Sequence, residues 1–87
     1  KVAIIDSGVD YTHPDLKANY IGGYDTVDED NDPMDGNVHG THVAGIIAGN
    51  GKIKGVAPNA SILAYRVMND GGTGTTDDII QGIERAI

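Results

Sequence analysis

The amino-acid sequence predicts an α/β fold in which helices flank a parallel β-sheet. Two short apolar runs, at residues 2–5 and 61–68, have the composition of strands that are buried on both faces. Helical patterns follow at residues 39–49 and 75–87. Strands that alternate with helices are typical of parallel sheets with right-handed crossovers, whose sites lie at the carboxyl ends of the strands.

The predicted strands begin with the β-branched run at residues 2–5. This run ends in Asp6-Ser7-Gly8, which has the composition of a turn, so Asp6 is expected at the carboxyl end of the strand. Residues 20–27 are expected to form a second and more exposed strand.

The two predicted helices differ in how they would pack. In the first, the apolar residues Val43, Ile46 and Ile47 have helical spacing, and the glycines among them would allow a close approach to the sheet. In the second, Thr75 and Asp78 have the spacing of a capping box. Its apolar face contains Ile79, Ile80, Ile83, Ala86 and Ile87.

The composition excludes several classes of function. Thirteen acidic residues against six lysines and arginines give a net charge of −7, which argues against nucleic acid as a partner. Without cysteine the chain forms no disulfide and no thiolate zinc site. No run approaches the roughly 20 apolar residues that cross a bilayer, so no membrane partner is predicted. The 87 residues suit one small domain or a piece of a larger one.

Two residues are candidates for acid-base chemistry. Asp6 ends a predicted strand and His39 opens a predicted helix, so both are expected near the carboxyl edge of the sheet. A carboxylate in that position can hold the tautomer of an imidazole. Judged from the residues alone, the aspartate could equally cap a turn and the histidine could be structural.

Several motifs together resemble one family. Residues 5–10, Ile-Asp-Ser-Gly-Val-Asp, with His-Pro-Asp-Leu at 13–16, are similar to the aspartate signature of the subtilisin-like serine endopeptidases, or subtilases. Residues 39–45, His-Gly-Thr-His-Val-Ala-Gly, are similar to the histidine signature of the same family. The segments Gly-Val-Ala-Pro at 55–58 and Gly-Thr-Gly at 72–74 also fit. The resemblance implies that residues 1–87 are the amino-terminal part of a three-layer catalytic domain.

The resemblance also assigns roles. Asp6 would be the carboxylate of an Asp-His-Ser triad and His39 its general base, whereas His42 would be structural. The family's nucleophile motif, Gly-Thr-Ser-Met-Ala, and its oxyanion-hole asparagine do not occur in these residues, so the chain alone is expected to be inactive. The competing hypothesis is a pseudoenzyme or a non-catalytic, calcium-stabilised α/β binding module.

A substrate-binding segment is implied at Gly72, Thr73 and Gly74. In the family such a segment pairs with a polypeptide substrate in an extended conformation. Met68 would border the acyl-side subsites, and Thr76 stands where some subtilisins carry a large aromatic residue, which predicts an open pocket. Composition alone would favour a plain glycine-rich turn.

The acidic stretch before the first predicted helix suggests a calcium site. Asp25, Asp28, Asp30 and Asp32 supply hard oxygen ligands at short spacing. The stretch is similar to the calcium loop of thermitase-like subtilisins, although Met34 replaces one side-chain oxygen ligand.

Other metal sites fit the sequence less well. An EF-hand counted from Asp28 would place Pro33 at its glycine and His39 at its bidentate acid. Zinc at His39 and His42 would lack a third ligand. A second family calcium site at Asp15 is disfavoured because the loop at residues 49–54 is short and carries two lysines.

The resemblance implies a secreted protein, because most relatives of this kind are exported. It also implies that later strands of the domain are missing from these 87 residues. Strands that have the composition of buried strands, and an apolar helix face, would then be exposed to solvent. We therefore expect the chain alone to be poorly folded or self-associated, and to regain order with the missing carboxyl-terminal part.

Overall fold

The computed structural model describes residues 1–87 and contains three strands and two helices. Along the chain these are β1 (Val2–Asp6), β2 (Tyr20–Asp25), α1 (His39–Ala48), β3 (Ile62–Arg66) and α2 (Thr76–Ala86). All five elements were predicted from the sequence, and their ends differ from the predicted ones by only a few residues.

The three strands form one parallel sheet with the order β1-β3-β2. The last strand in the chain is therefore the central strand of the sheet. At its carboxyl end, Arg66 lies opposite Asp6 on one side and opposite Asp25 on the other. The polar residues that end the three strands consequently meet at one edge of the sheet.

The helices pack against opposite faces of the sheet, as the alternation of side chains along β1 shows. Ile4 belongs to the hydrophobic core that includes Ala44 and Ala48 of α1. Its neighbour Ile5 lies on the other face, where a Cβ added to Gly82 of α2 would come within 3.2 Å of its side chain. The predicted fold class, a parallel sheet flanked by helices in three layers, is confirmed.

Helix α1 is buried mainly through small residues. Its buried residues are Gly40, Ala44 and Ala48, whereas Ile46 is largely exposed and the side chains of Val43 and Ile47 are only partly covered. The helix was predicted from those three larger residues, but small side chains bring its backbone close to β1.

Helix α2 begins as predicted and leaves much of its apolar face exposed. The hydroxyl of Thr75 accepts a hydrogen bond from the backbone N–H of Asp78 at 3.1 Å, so Thr75 is the N-cap. Ile80 and Ile83 are each about half exposed, and Ile87 is 99% exposed. Neither helix has the length and hydropathy that a bilayer span requires.

Candidate functional site

The site begins where β1 ends. Asp6 is the last residue of the strand, and its side chain is only 12% exposed. The backbone N–H of Ser7 donates to Oδ1 of Asp6 at 2.6 Å. This bond holds the carboxylate in the turn at the carboxyl edge of the sheet, the edge where parallel α/β folds place their ligands.

His39, the first residue of α1, lies beside this carboxylate. Its Nδ1 is 2.8 Å from Oδ1 and 3.0 Å from Oδ2 of Asp6, while 63% of the imidazole side chain is exposed. The structure therefore brings together the two residues that the sequence singled out, although 33 positions separate them.

This geometry determines what the imidazole can do. An ionised carboxylate only accepts hydrogen bonds, so Nδ1 of His39 carries the proton and donates it to Asp6. In the neutral ring the lone pair is then on Nε2, which no hydrogen bond within the chain engages. The hydrogen bond to Asp6 and the charge of that residue raise the pKa of His39 above its ordinary value. The pair therefore has the geometry that a general base with an orienting carboxylate would require.

The start of α1 is held by side chains from outside the helix. Val38 occupies the N-cap position with a φ of 85° and makes no capping hydrogen bond. The N–H groups of the first turn donate instead to Asn37 Oδ1 (from His39, 3.2 Å), Ser7 Oγ (from Gly40, 2.9 Å) and Asp35 Oδ2 (from Thr41, 2.9 Å). Sequence reasoning missed Asp35 and Asn37 in this role. The available signal was an Asp/Asn pair directly before a helix start.

Glycine is required where α1 meets the turn after β1. A Cβ on Gly40 would overlap the carbonyl oxygen of Gly8. Gly8 itself has a φ of +108°, and a Cβ there would lie 2.5 Å from the carbonyl oxygen of Pro33. This close contact of backbone with backbone is what allows His39 to reach Asp6.

His42 takes no part in this pair. Its side chain is exposed and makes no hydrogen bond within the chain. The group of three side chains that could jointly hold a metal ion contains no histidine.

The acidic loop brings three of its four predicted ligands together. Oxygen atoms from Asp25, Asp28 and Asp30 all lie within 4.8 Å of one another. Asp32 is outside this group, and its Oδ1 accepts a hydrogen bond from the hydroxyl of Tyr11 at 2.6 Å. That bond raises the pKa of Tyr11 to about 12.

Arg66 binds the buried side of the acidic group. Its Nη1 lies 2.8 Å from Oδ2 of Asp25 and 3.2 Å from Oδ2 of Asp28, and its Nη2 lies 3.0 Å from Oδ1 of Asp70. A carboxylate oxygen can accept more than one partner, so these ion pairs leave capacity for a cation. Three clustered carboxylates are donors of the kind that calcium prefers, and the residues present fit that ion.

The carboxylate of Asp15, by contrast, is engaged within the chain. Its Oδ1 accepts a hydrogen bond from the backbone N–H of Lys52 at 2.8 Å. The short loop at residues 49–54 thus closes directly onto Asp15.

The predicted substrate segment is an exposed, irregular stretch after β3. Asn69 shapes it: its N–H donates to the carbonyl of Thr73 at 2.9 Å, and its Oδ1 accepts from the N–H groups of Gly71 and Thr73 at 3.0 Å. The backbone N–H and C=O of Gly74 make no hydrogen bond within the chain. Met68, just before this turn, is partly buried.

Comparison with known proteins points to one family. Residues 1–87 match the sequence profile of the subtilase family. The chain is 56% identical over 98 residues to the minor extracellular protease Vpr of Bacillus subtilis, covering 100% of this chain and 12% of that protein. It is 49% identical over 90 residues to thermitase of Thermoactinomyces vulgaris, covering 99% of this chain and 32% of that protein.

Two further similarities concern the fold of one relative and the cellular location of another. An intracellular serine protease of Paenibacillus polymyxa is 53% identical over 95 residues, covering 100% of this chain and 29% of that protein. The crystal structure of a cold-adapted subtilisin-like serine proteinase superposes with a TM-score of 0.87 at 44% identity, over 94% of this chain and 29% of that one. The chain spans between 12% and 32% of the length of these relatives.

Proposed function

Because this chain belongs to the subtilase family, we propose that residues 1–87 are the amino-terminal part of the catalytic domain of a serine endopeptidase. In this proposal Asp6 and His39 are two members of an Asp-His-Ser triad. The third member comes from a part of the protein outside these residues.

The observation that supports the proposal most is the paired contact between His39 and Asp6. Both carboxylate oxygens lie within hydrogen-bond distance of one ring nitrogen. This arrangement fixes the tautomer in which Nε2 is the base. A histidine with only a structural role would not require both a carboxylate partner at one ring nitrogen and a solvent-exposed second ring nitrogen.

In the reaction, His39 moves a proton twice. Its Nε2 accepts the proton of the serine hydroxyl as the oxygen attacks the peptide carbonyl, and later donates that proton to the leaving amine. Asp6 stays ionised and stabilises the imidazolium that forms between the two steps.

Neither serine of the chain suits the role of nucleophile. Ser7 is 1% exposed, and its hydroxyl donates to Oδ1 of Asp35 at 2.9 Å while accepting from the N–H of Gly40. Ser61 lies directly before β3, at the end of the strand opposite to the site. The isolated chain should therefore hydrolyse no peptides.

We further infer that the substrate is an extended polypeptide that pairs with the segment Gly72-Thr73-Gly74. The unpaired N–H and C=O of Gly74 are groups that an added strand would engage. The absence of side chains at both glycines lets another backbone approach closely. Met68 would contact substrate side chains on the acyl side.

We also infer a structural calcium site at Asp25, Asp28 and Asp30, with Asp32 as a further ligand. The ion would offset the mutual repulsion of carboxylates that Arg66 neutralises only on their buried side. It would stabilise the loop that leads into α1, and we assign it no step in the reaction.

The remainder of the catalytic domain is the proposed partner of the exposed apolar surfaces. An open groove of about 610 Å³ is lined in part by Ile46, Ile53 and Val56, all of them largely exposed. Extracellular secretion is part of the proposal, and the similarity to an extracellular protease supports it. Because another similar relative is an intracellular protease, secretion should be tested by measuring peptidase activity in the culture supernatant.

The proposal is tested by comparing two histidine variants in the full catalytic domain. His39→Ala should lower kcat by roughly 10³-fold or more, because water does not replace imidazole as a general base at a comparable rate. The matched control is His42→Ala, one turn further along the same helix, which should retain the parent turnover per folded molecule.

Folded enzyme should be quantified by circular dichroism before rates are compared. Equal defects in the two variants would refute the assignment of His39 as the base. A full-length protein that folds but neither hydrolyses peptides nor reacts with a serine-directed fluorophosphonate would instead support the non-catalytic alternative.

A further inference from the structure

One carboxylate beside the catalytic pair makes more contacts than a simple helix cap requires. Oδ1 of Asp35 accepts hydrogen bonds from Ser7 Oγ at 2.9 Å, Asn37 N at 2.9 Å and Val38 N at 3.0 Å. Its Oδ2 accepts from the N–H of Thr41 at 2.9 Å and from the hydroxyl of Thr41 at 2.6 Å. These donors belong to the turn after β1, to the two residues just before α1 and to the first turn of α1.

The donors on the two sides are close in sequence to the catalytic pair. Ser7 directly follows Asp6, and Thr41 is two residues beyond His39. The hydroxyl of Ser7 also accepts the N–H of Gly40 at 2.9 Å. One partly buried network thus joins the backbone that carries Asp6 to the helical turn that carries His39.

Capping alone does not account for this arrangement. A cap satisfies N–H groups of its own helix, and Oδ2 of Asp35 does so through Thr41. The bond to Ser7 spans 28 positions and itself satisfies no N–H group of the helix. It fixes instead where the helix start lies relative to the end of β1.

We propose that Asp35 is a positioning residue of the triad, which holds α1 against the turn after β1 so that Nδ1 of His39 meets the carboxylate of Asp6. The inference rests on the proposed function. Asp35 touches neither substrate nor the reacting atoms and acts only through the two residues that it aligns.

The charge of Asp35 supports this role. Partial burial acts to raise its pKa, but the hydrogen bonds from Thr41, Asn37 and Val38 outweigh that effect and hold the pKa below its ordinary value. The residue is therefore ionised at neutral pH. The charged groups that act on His39 are Asp6 and, more weakly, Asp35, and both favour its imidazolium form.

The test compares Asp35→Ala and Asp35→Asn in the full catalytic domain with the parent enzyme. We expect kcat to fall by about 10–100-fold with KM unchanged, since misplacement of a catalytic group slows the chemical step. The acid limb of the kcat/KM profile should move to lower pH because a negative charge near His39 is lost. The asparagine variant keeps one oxygen acceptor and should be the milder of the two.

A second readout does not depend on hydrolysis. The proton on Nδ1 of His39, hydrogen-bonded to Asp6, should give a low-field NMR resonance in the parent enzyme, and this signal should broaden or disappear in both variants. Asp77→Asn is the matched charge control, because Asp77 lies in the first turn of α2 and its side chain makes no hydrogen bond. It should leave the profile and the resonance unchanged.

Ser7→Ala keeps the test decisive if Asp35→Ala fails to fold. It removes the link to β1 and leaves the contacts with Thr41 intact, so kcat should again fall with KM unchanged. Parent-like kcat per folded molecule and an unchanged resonance in Asp35→Asn and Ser7→Ala would overturn the inference. If the parent itself hydrolyses no peptide, the proposed function fails, while the resonance still reports whether Asp35 aligns His39 with Asp6.

Discussion

Nδ1 of His39 lies 2.8 Å from one oxygen of Asp6 and 3.0 Å from the other, so the imidazole faces both carboxylate oxygens. The Asp6 side chain is nearly buried and the His39 side chain is largely exposed. A single hydrogen-bonded pair thus connects the protein interior to the solvent-exposed surface at the carboxyl edge of the sheet.

The first prediction concerns the pH dependence of activity. Because Asp6 raises the pKa of His39, the acid limb of kcat/KM should have its midpoint above the ordinary imidazole value of about 6.5. Asp6→Asn should move that midpoint down and lower kcat by about 10⁴-fold. The control is Asp10→Asn, since the carboxylate of Asp10 binds only Thr12 in its own turn. A midpoint that is the same in the parent and in Asp6→Asn would contradict the assignment.

The same pKa shift has a consequence for stability. A histidine whose pKa is higher in the folded state stabilises that state most fully below its unfolded pKa. We therefore expect this contribution to be lost as the pH rises through the raised pKa of His39. The parent and His39→Ala domains should be unfolded with urea at pH values from about 5 to about 9, roughly two units on either side of neutrality. The difference in unfolding free energy between the two proteins should shrink as the pH increases.

The second prediction is that calcium raises the melting temperature of the full domain. A ligand that binds only the folded state stabilises it by about 2.7 kcal/mol at a hundredfold excess over Kd. Asp30→Asn should reduce this shift. Asp30 is a better probe than Asp25, whose buried ion pair with Arg66 would be broken as well. A melting curve that a chelator leaves unchanged would remove the metal from the proposal.

The third prediction concerns Val38, whose φ of 85° is costly for a β-branched residue. Val38→Gly should raise the free energy of unfolding by about 1 kcal/mol, because glycine adopts this conformation without steric strain. Val56→Gly is the matched control. Val56 is 88% exposed and does not have a positive φ. Measurements in a His39→Ala background would prevent autolysis, and a stability that falls equally in both variants would contradict the prediction.

The fourth prediction concerns residues 1–87 in isolation. We expect self-association or poor folding, because Ile80, Ile83 and Ile87 are exposed and a domain of this size has a small core. Ile83→Lys should lower the mass observed by light scattering, whereas Glu84→Lys on the same helix should not. A monomer that melts cooperatively at micromolar concentration would refute the prediction.

The sequence predicted the elements and their class because both depend on local patterns. Strand composition and a Thr-x-x-Asp cap are visible without tertiary information. The buried face of α1 was less visible, because the helix packs closely on the sheet through the small residues Ala44 and Ala48, whereas Ile46 lies on its exposed face. Hydrophobicity by itself favours the larger side chain.

The polar contacts that hold the candidate site in place could not be predicted in the same way. Asp35 was not singled out from the sequence, because its bonds to Ser7 and Thr41 exist only once the chain has folded. Similarly, the link between the acidic loop and the segment after β3 is made by Arg66, through contacts with Asp25 and Asp70. Long-range polar networks leave no periodic pattern in a sequence.

The central position of β3 also constrains how the chain folds. Val2 pairs with Ile62, so loop closure must bring together residues about 60 positions apart before the first strand gains any sheet partner. Tyr20 of β2 also pairs with Ile62, so the second strand likewise depends on β3 for its place in the sheet. During ribosomal synthesis neither early strand can therefore be incorporated into the sheet until β3 has emerged. Folding dominated by such distant pairings is slow, and both strand edges stay open to other chains in the meantime.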